Sequence, residues 1–188
     1  MSVKLPAILI IFLLCQIGCK SSNKDVKQIV KELSGKTISF DWPKQFVMYD
    51  TLLIIESEYS LTPAKIIKYI DNSFCPSCIN NYLSLASDFI TFAGKTNLFN
   101  SDSVEYYVIL SRPKEEVIEC FQDAPLSHIV LISDIEDKFL EENSLSGYDN
   151  IYTTFLLDKR NKIIGIGDPM LSVGVRDMYI KRIKELLE

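Results

Sequence analysis

The chain has 188 residues, 47% of them hydrophobic, which suits one globular domain with a real core plus extra sequence at the N-terminus. Its net charge of −5, from 20 basic and 25 acidic residues with no dense basic cluster, argues against nucleic acid as a partner. The mild acidity otherwise specifies only a soluble surface.

The first residues read as an export signal. Lys4 supplies a positive start and Ala7 to Leu14 is an unbroken apolar run. That run is far short of the ~20 residues a spanning helix needs, so residues 1–18 are expected to be a secretory signal peptide. Gly18 before Cys19 resembles a bacterial lipobox, in which cleavage precedes a cysteine that carries lipid, although Gln16 stands where Leu is usual. Cys19 is therefore the expected lipid attachment site, and the membrane a partner through that anchor. The plainer alternative is ordinary signal cleavage nearby, with Cys19 an incidental thiol. Export implies an oxidising compartment: a bacterial cell envelope, with the domain facing the periplasm or the cell exterior.

Residues 19–35 are expected to form a tether and a short helix, with Val26, Ile29, Val30 and Leu33 at helical spacing and a stop at Ser34-Gly35. The domain proper is expected over 36–188. Between 37 and 58 lie short β-type runs broken by Pro43 and Asp50, and a boundary loop follows at Ser60 to Pro63. From Ala64 the pattern is regular. Lys65–Ile70 is a strand candidate, and Cys75–Phe92 has helical spacing. Val104–Leu110 is a β-branched and aromatic strand, and Pro113 to Phe121 a helix. His128–Ser133 is a further strand, followed by an acidic helical stretch through Asn143. Thr153–Leu157 and Lys162–Gly167 flank a hairpin turn at Asp158-Lys159-Arg160-Asn161, and Val173–Glu188 closes the chain as an amphipathic helix. The order β-α-β-α-β-α-β-β-α predicts an α/β layer structure with a central mixed β-sheet.

The motif with chemistry in it is Cys75-Pro76-Ser77-Cys78, at the junction of a strand and a helix. A cysteine at a helix start meets free backbone N–H groups and the positive end of the dipole, so its thiolate is favoured. Cys78 lies one turn on, placed to resolve a mixed disulfide. Pro76 falls at an early helical position, where its missing N–H costs little. Cys75 is expected to be the only one of the pair reachable from solvent, hence the nucleophile.

Strand, CxxC, helix, then β-α-β and a hairpin capped by a helix resembles the thioredoxin fold. The leader and N-terminal extension make the chain look more like the TlpA/ResA-like thioredoxin-like lipoproteins of the bacterial envelope. Thr153-Thr154-Phe155-Leu156-Leu157-Asp158 resembles that family's Pro-Thr-Thr-Phe-Leu-Ile-Asp segment, and the likeness covers roughly Ala64–Glu188. It implies thiol–disulfide oxidoreductase activity through Cys75 and Cys78, with protein disulfides as substrates and a membrane thiol-reducing system as electron source. It further implies substrate contact at Tyr152 and Thr153, and no cofactor. Three positions depart from the family. Tyr152 stands where a cis-proline is usual, which puts substrate engagement in question and would ease metal capture. Tyr69 replaces the buried acid six residues before the first cysteine, with Asp71 a weak substitute. Phe74 stands where Trp is common.

Competing readings remain for several residues. The competing reading of the CxxC pair is a structural disulfide or a relic, although so small a loop gains little from a purely structural bond. The rival function is a non-catalytic binding or assembly lipoprotein on the same scaffold, favoured by Tyr152 and Tyr69. A Cu(I)-binding protein is a further alternative, but such proteins use a longer cysteine spacing. Structural zinc wants four ligands, and here one CxxC and the lone His128 fall short, so no metal site is expected. Cys120 reads as a small buried hydrophobe and His128 as a local hydrogen-bonder. The acidic residues Asp134, Glu136, Asp137, Glu141 and Glu142 read as a solvated helix face. Gly165 and Gly167 are expected to permit close packing or a bulge.

Overall fold

The computed structural model describes residues 26–39, 62–119 and 129–188. By internal packing the chain divides into two compact units, Met1–Lys31 and Glu32–Glu188, and the second carries the sheet. The leader, Cys19, Cys120, His128 and most of the β-type runs expected before residue 58 lie outside the described residues. Helix α1 spans Val26–Leu33. Its buried stripe is narrower than the spacing predicts: Ile29 and Leu33 are buried, whereas Val26 and Val30 are exposed.

The remaining elements follow the predicted order. They are β1 (Ala64–Ile70), α2 (Pro76–Lys95), β2 (Val104–Leu110), α3 (Lys114–Glu119), β3 (Ile129–Ser133), α4 (Lys138–Glu142), β4 (Thr154–Asp158), β5 (Ile163–Ile166) and α5 (Val173–Leu187). Short 3-10 turns at Ser101–Ser103 and Asn150–Tyr152 precede β2 and β4. The strands form one mixed five-stranded sheet in the order β3-β2-β1-β4-β5. β1 pairs in parallel with β2, and β2 with β3, while β4 runs antiparallel to both β1 and β5.

β1 is central, so every one of its residues is buried. That is why it shows no alternation of apolar and polar residues, and why even its two lysines, Lys65 and Lys68, are covered. The steps β1–α2–β2 and β2–α3–β3 move the same way across the sheet, so right-handed crossovers place α2 and α3 on one face. The main core confirms this: it joins Ile79, Leu83 and Ile90 of α2, Val117 of α3, and Tyr179 and Ile183 of α5 against Ala64, Ile66, Tyr106 and Val108. From β3 the chain returns across the sheet to β4, and α4 lies on the opposite face. There Phe139 stacks on Tyr69 with ring centroids 6.0 Å apart.

Helix α2 outlasts its predicted end by most of a turn, because Ala93 extends the buried face and the Thr96 hydroxyl then closes on the Phe92 carbonyl. Complete burial of Ile79, Leu83 and Ile90 is worth roughly 1.5–3 kcal/mol each. This anchorage leaves the first turn free to meet water.

The predicted hairpin turn is present: the Asp158 carboxylate accepts the Arg160 and Lys162 N–H groups, and Asn161 takes φ +59°. The expectation of close packing is met at Gly165. A Cβ at Gly165 would lie 2.9 Å from the Tyr179 ring and 3.1 Å from Leu156, so α5 packs this close to β5 only over glycine. Gly167, at φ +107°, turns the chain out of β5. The pairing of β4 with β5 shifts register between Leu156 and Leu157, a bulge.

The segment entering from α1 lies along β5. Gly35 N–H donates to the Ile163 carbonyl at 2.9 Å, Ile163 N–H to Lys36 at 2.8 Å, and Ile38 N–H to Asn161 at 2.9 Å. Asn143 grips the same segment through both main-chain groups of Ser39, and its own carbonyl accepts the Lys36 ammonium.

One surface expectation is corrected. Glu136, Glu141 and Glu142 are exposed, but Asp134 is 8% exposed and accepts the Lys138 and Phe139 N–H groups at the start of α4. Asp137 accepts the Tyr69 hydroxyl. The helix begins only at Lys138, so both carboxylates belong to the turn that launches it: Asp134 answers its unpaired N–H groups, and Asp137 answers the phenol of β1.

Candidate functional site

β1 ends at Ile70, and the turn 71–75 carries the chain to Pro76, the first residue of α2. Cys75 is the residue that caps the helix. Its backbone is extended, and its sulfur accepts the Cys78 N–H at 3.2 Å. The Ser77 hydroxyl lies 3.2 Å from the same sulfur. Cys75 and Cys78 are joined as a disulfide with Cα atoms 5.2 Å apart, so the sulfur has no hydrogen and Ser77 is the donor. When the bond is reduced, the same two donors face the Cys75 thiolate and favour it.

Cys78 is exposed, as Cys75 is. This corrects the expectation that only the first cysteine meets solvent. The inward position of the first turn belongs to Ile79, fully buried, and Cys78 sits beside it on the outer side. Access therefore does not tell the sulfurs apart. The capping position does, because among the described residues backbone and hydroxyl donors are aimed at the Cys75 sulfur alone.

The turn before Cys75 is held from two sides. The Asp71 carboxylate accepts the Ser73 N–H at 2.8 Å, the Ser73 hydroxyl and the Asn150 side-chain amide. Burial alone would raise the Asp71 carboxyl, but those hydrogen bonds and the charge of Lys68 outweigh it and hold the group below its ordinary range. From the other side Arg112 donates to the carbonyls of Asn72 and Phe74. Phe74, where the resembled family commonly has Trp, is partly buried against the core.

Tyr152 lies in the 3-10 turn before β4, with its N–H on the Asp149 carbonyl at 2.8 Å. No peptide bond among the described residues is cis. Thr153 is buried, and its polar groups are engaged: the N–H with Asn150, the carbonyl with the Tyr69 N–H at 3.0 Å, and the hydroxyl with Asn150 and Tyr69 carbonyls. The structure thus brings Thr153 to the end of β1 beside the turn that carries Cys75, through Asn150 and its bond to Asp71.

Sequence reasoning missed a buried charge. Tyr69, six residues before Cys75, points to the α4 face. Its hydroxyl is raised well above the usual phenol range by burial and then by its bond to Asp137. The residue that faces α2 is Lys68. Its ammonium meets the Asp168 carboxylate at 3.2 Å, with side-chain exposures of 4% and 1%. It also donates to the Asn150 carbonyl at 3.0 Å and sits 5.6 Å over the Tyr82 ring. Burial lowers the Lys68 ammonium from its ordinary range, and Asp168 and Asp71 only partly restore it. Asp168 also takes the Tyr82 hydroxyl at 3.3 Å and the Met170 N–H at 2.9 Å. Tyr82 and Tyr106 oxygens are 2.6 Å apart. Since the single Tyr82 proton goes to Asp168, Tyr106 donates to Tyr82. Tyr82 is one helical turn beyond Cys78, so this cluster underlies the CxxC end of α2. The only sequence signal was a pair of lysines, Lys65 and Lys68, within a strand whose other residues are apolar or aromatic.

Among the described residues no three His, Cys, Asp or Glu side chains converge as a metal-binding group, and no helix is long and apolar enough to cross a membrane. No protein-family model matches the sequence, and no curated protein matches it. Among solved structures, the chain is similar to yeast Sco1 with copper bound, at 14% identity and TM-score 0.49 over 66% of this chain and 80% of that one. It is similar to the thioredoxin domain of a thiol-disulfide oxidoreductase from Bacteroides vulgatus, at 16% identity and TM-score 0.40 over 68% and 81%. It is also similar to the reduced 2-Cys peroxiredoxin of Plasmodium vivax, at 13% identity and TM-score 0.49 over 81% and 98%. What fixes the architecture is the strand order with its two parallel crossovers and closing hairpin, and by that order, with a CxxC opening the helix after the central strand, the fold is thioredoxin-like.

Proposed function

We propose that this chain is a thiol–disulfide oxidoreductase of the cell envelope, similar to the TlpA/ResA-like lipoproteins and tethered through lipid at Cys19. The observation that carries the reading is the exposed Cys75–Cys78 disulfide at the start of α2, with the Cys78 N–H and the Ser77 hydroxyl both directed at the Cys75 sulfur.

In the dithiol form, Cys75 thiolate attacks one sulfur of a substrate disulfide. The substrate S–S bond breaks, one substrate thiolate leaves and takes a proton, and a mixed disulfide forms at Cys75. Cys78, deprotonated, then attacks the Cys75 sulfur. The mixed disulfide breaks, the second substrate thiolate leaves and is protonated, and the enzyme is left as the Cys75–Cys78 disulfide. Two electrons have passed to the substrate, and a membrane thiol-reducing system returns two electrons and two protons to restore the dithiol.

The test is thiol chemistry on the purified protein. Cys75 should be alkylated before Cys78 in the reduced form, Cys75→Ser should abolish disulfide reduction, and Cys78→Ser should accumulate a mixed disulfide. A wild-type protein that neither reduces nor oxidises any model disulfide sinks the enzyme reading. The second reading, a non-catalytic binding lipoprotein, is favoured by Tyr152 in place of proline and by the internal engagement of the Thr153 main chain. It expects full function in a Cys75→Ser/Cys78→Ser double variant.

A further inference from the structure

Arg112 enters the site from the end of β2. Its own backbone is fixed there: its N–H donates to the Leu110 carbonyl at 2.7 Å, and its carbonyl accepts the Ser133 hydroxyl. The side chain is only 12% exposed. One terminal nitrogen reaches the carbonyls of Asn72, at 3.2 Å, and Phe74; the other meets the Glu116 carboxylate at 2.9 Å. The remaining nitrogen, Nε, is buried and has no hydrogen-bond partner among the described residues. An unpartnered buried donor is destabilising, so stability alone does not recommend arginine at this place.

The two carbonyls are the informative contacts. Phe74 immediately precedes Cys75, and the Phe74 carbonyl belongs to the peptide that carries the Cys75 nitrogen. On its C-terminal side Cys75 is fixed by the helix: its carbonyl accepts the Ile79 N–H at 3.1 Å and its sulfur the Cys78 N–H. On its N-terminal side the fixing group is the guanidinium. One terminal nitrogen holds both carbonyls while the other is held by Glu116, so the rigid guanidinium plane ties the turn to α3, which a lysine ammonium, as a point charge, does not reproduce. The Glu116 carboxylate is 51% exposed, so water screens it more than it screens the guanidinium, and positive charge remains beside the helix start.

We propose that Arg112 is a positioning residue for Cys75, holding the chain just before the sulfur through the Asn72 and Phe74 carbonyls and placing a cation beside the thiolate that reduction creates. The inference rests on the exchange function proposed above for its purpose, and on the hydrogen bonds alone for its geometry. Among the described residues, the charged groups around the turn are Arg112 and Glu116 on the β2 side, and Asp71 and Lys68, with Asp168 behind it, on the β4 side.

The test follows the pH dependence of iodoacetamide labelling at Cys75 in the reduced full-length protein, with the Cys75 peptide identified by mass. Arg112→Gln should move the midpoint of labelling up by about one pH unit. Glu116→Gln leaves both carbonyl contacts in place and removes the competing anion, so it should move the midpoint down by a smaller amount. A folded Arg112→Gln protein with an unmoved midpoint, or a Glu116→Gln protein whose midpoint fails to fall, overturns the assignment. If Arg112→Gln does not fold, Glu116→Gln decides alone. Wild-type protein lacking disulfide exchange would defeat the proposed function and leave these shifts intact. Unmoved midpoints in a protein that does exchange disulfides would defeat only the role of Arg112.

Discussion

Lys65 and Lys68 stand on the same buried strand, three residues apart, and point to opposite faces of the sheet. Both are almost wholly covered, at 6% and 3% exposure, and burial lowers both ammonium groups from their ordinary range. Their surroundings differ. Lys65, near the start of β1, donates to the Asn161 side-chain carbonyl at 2.9 Å, and the carboxylates that support it, Glu105 and Asp158, are themselves only half-buried. Lys68, near the CxxC end, is the counter-charge of a carboxylate that water cannot reach. Equal burial therefore does not mean equal consequence. What matters is whether another buried charge depends on the lysine.

The largest expected effect follows directly. Lys68→Met leaves Asp168 buried and unpaired and should cost about 3–5 kcal/mol of unfolding free energy by denaturant titration. Lys65→Met should cost about 1 kcal/mol, the worth of an ordinary hydrogen bond. A Lys68 loss no larger than the Lys65 loss breaks the comparison. Adding Asp168→Leu to Lys68→Met removes both charges, and most of the lost stability should return; strictly additive losses would show that the pair does not act as a unit. A smaller change tests the wider network. Tyr82→Phe deletes the hydroxyl that links Tyr106 to Asp168 and should cost about 1–3 kcal/mol.

The pH dependence sharpens the same contrast. For each lysine the folded value lies below 10.5. Between the folded value and 10.5 the unfolded chain binds more protons, so unfolding free energy rises with pH through that window. Each Lys→Met variant should lose its own share of the rise when stability is measured up to pH 10. Asp71 gives the smallest effect and the opposite limb. Its folded value lies below 3.8, so its stabilisation is present above pH 3.8 and disappears as pH falls through the folded value. Asp71→Asn should flatten that acid limb, and an unchanged acid limb counts against the hydrogen bonds assigned to Asp71.

Much of this architecture was legible in the residues. VEYYVIL and the hairpin residues from Asp158 to Asn161 carry their own backbone preferences, and they form the strand and turn they predict. The CxxC was legible for the same reason: a cysteine followed by proline at a helix start is a local instruction. Contacts made across the fold were not legible. Lys68 and Asp168 lie in different strands' neighbourhoods, far apart in sequence, and nothing near Asp168 marks it as a counter-ion. Arg112 is 38 residues from Phe74, and no periodicity announces a side chain that binds two carbonyls. Exposure of Cys78 depends on Ile79 taking the inward position, a matter of how the helix is rotated on the sheet. Asp134 and Asp137 looked solvated because composition records charge and not which donor, a helix-start N–H or the Tyr69 phenol, needs an acceptor.

β5 is the last strand on its side of the sheet. A bare sheet margin offers rows of unused donors and acceptors to any passing strand, and so invites chains to stack on one another. Here the stretch from Gly35 to Ile38 has already taken those groups at Asn161 and Ile163. A second copy cannot add itself to that part of the margin without first peeling this stretch away. At that margin, the entering chain acts as a built-in guard against self-association.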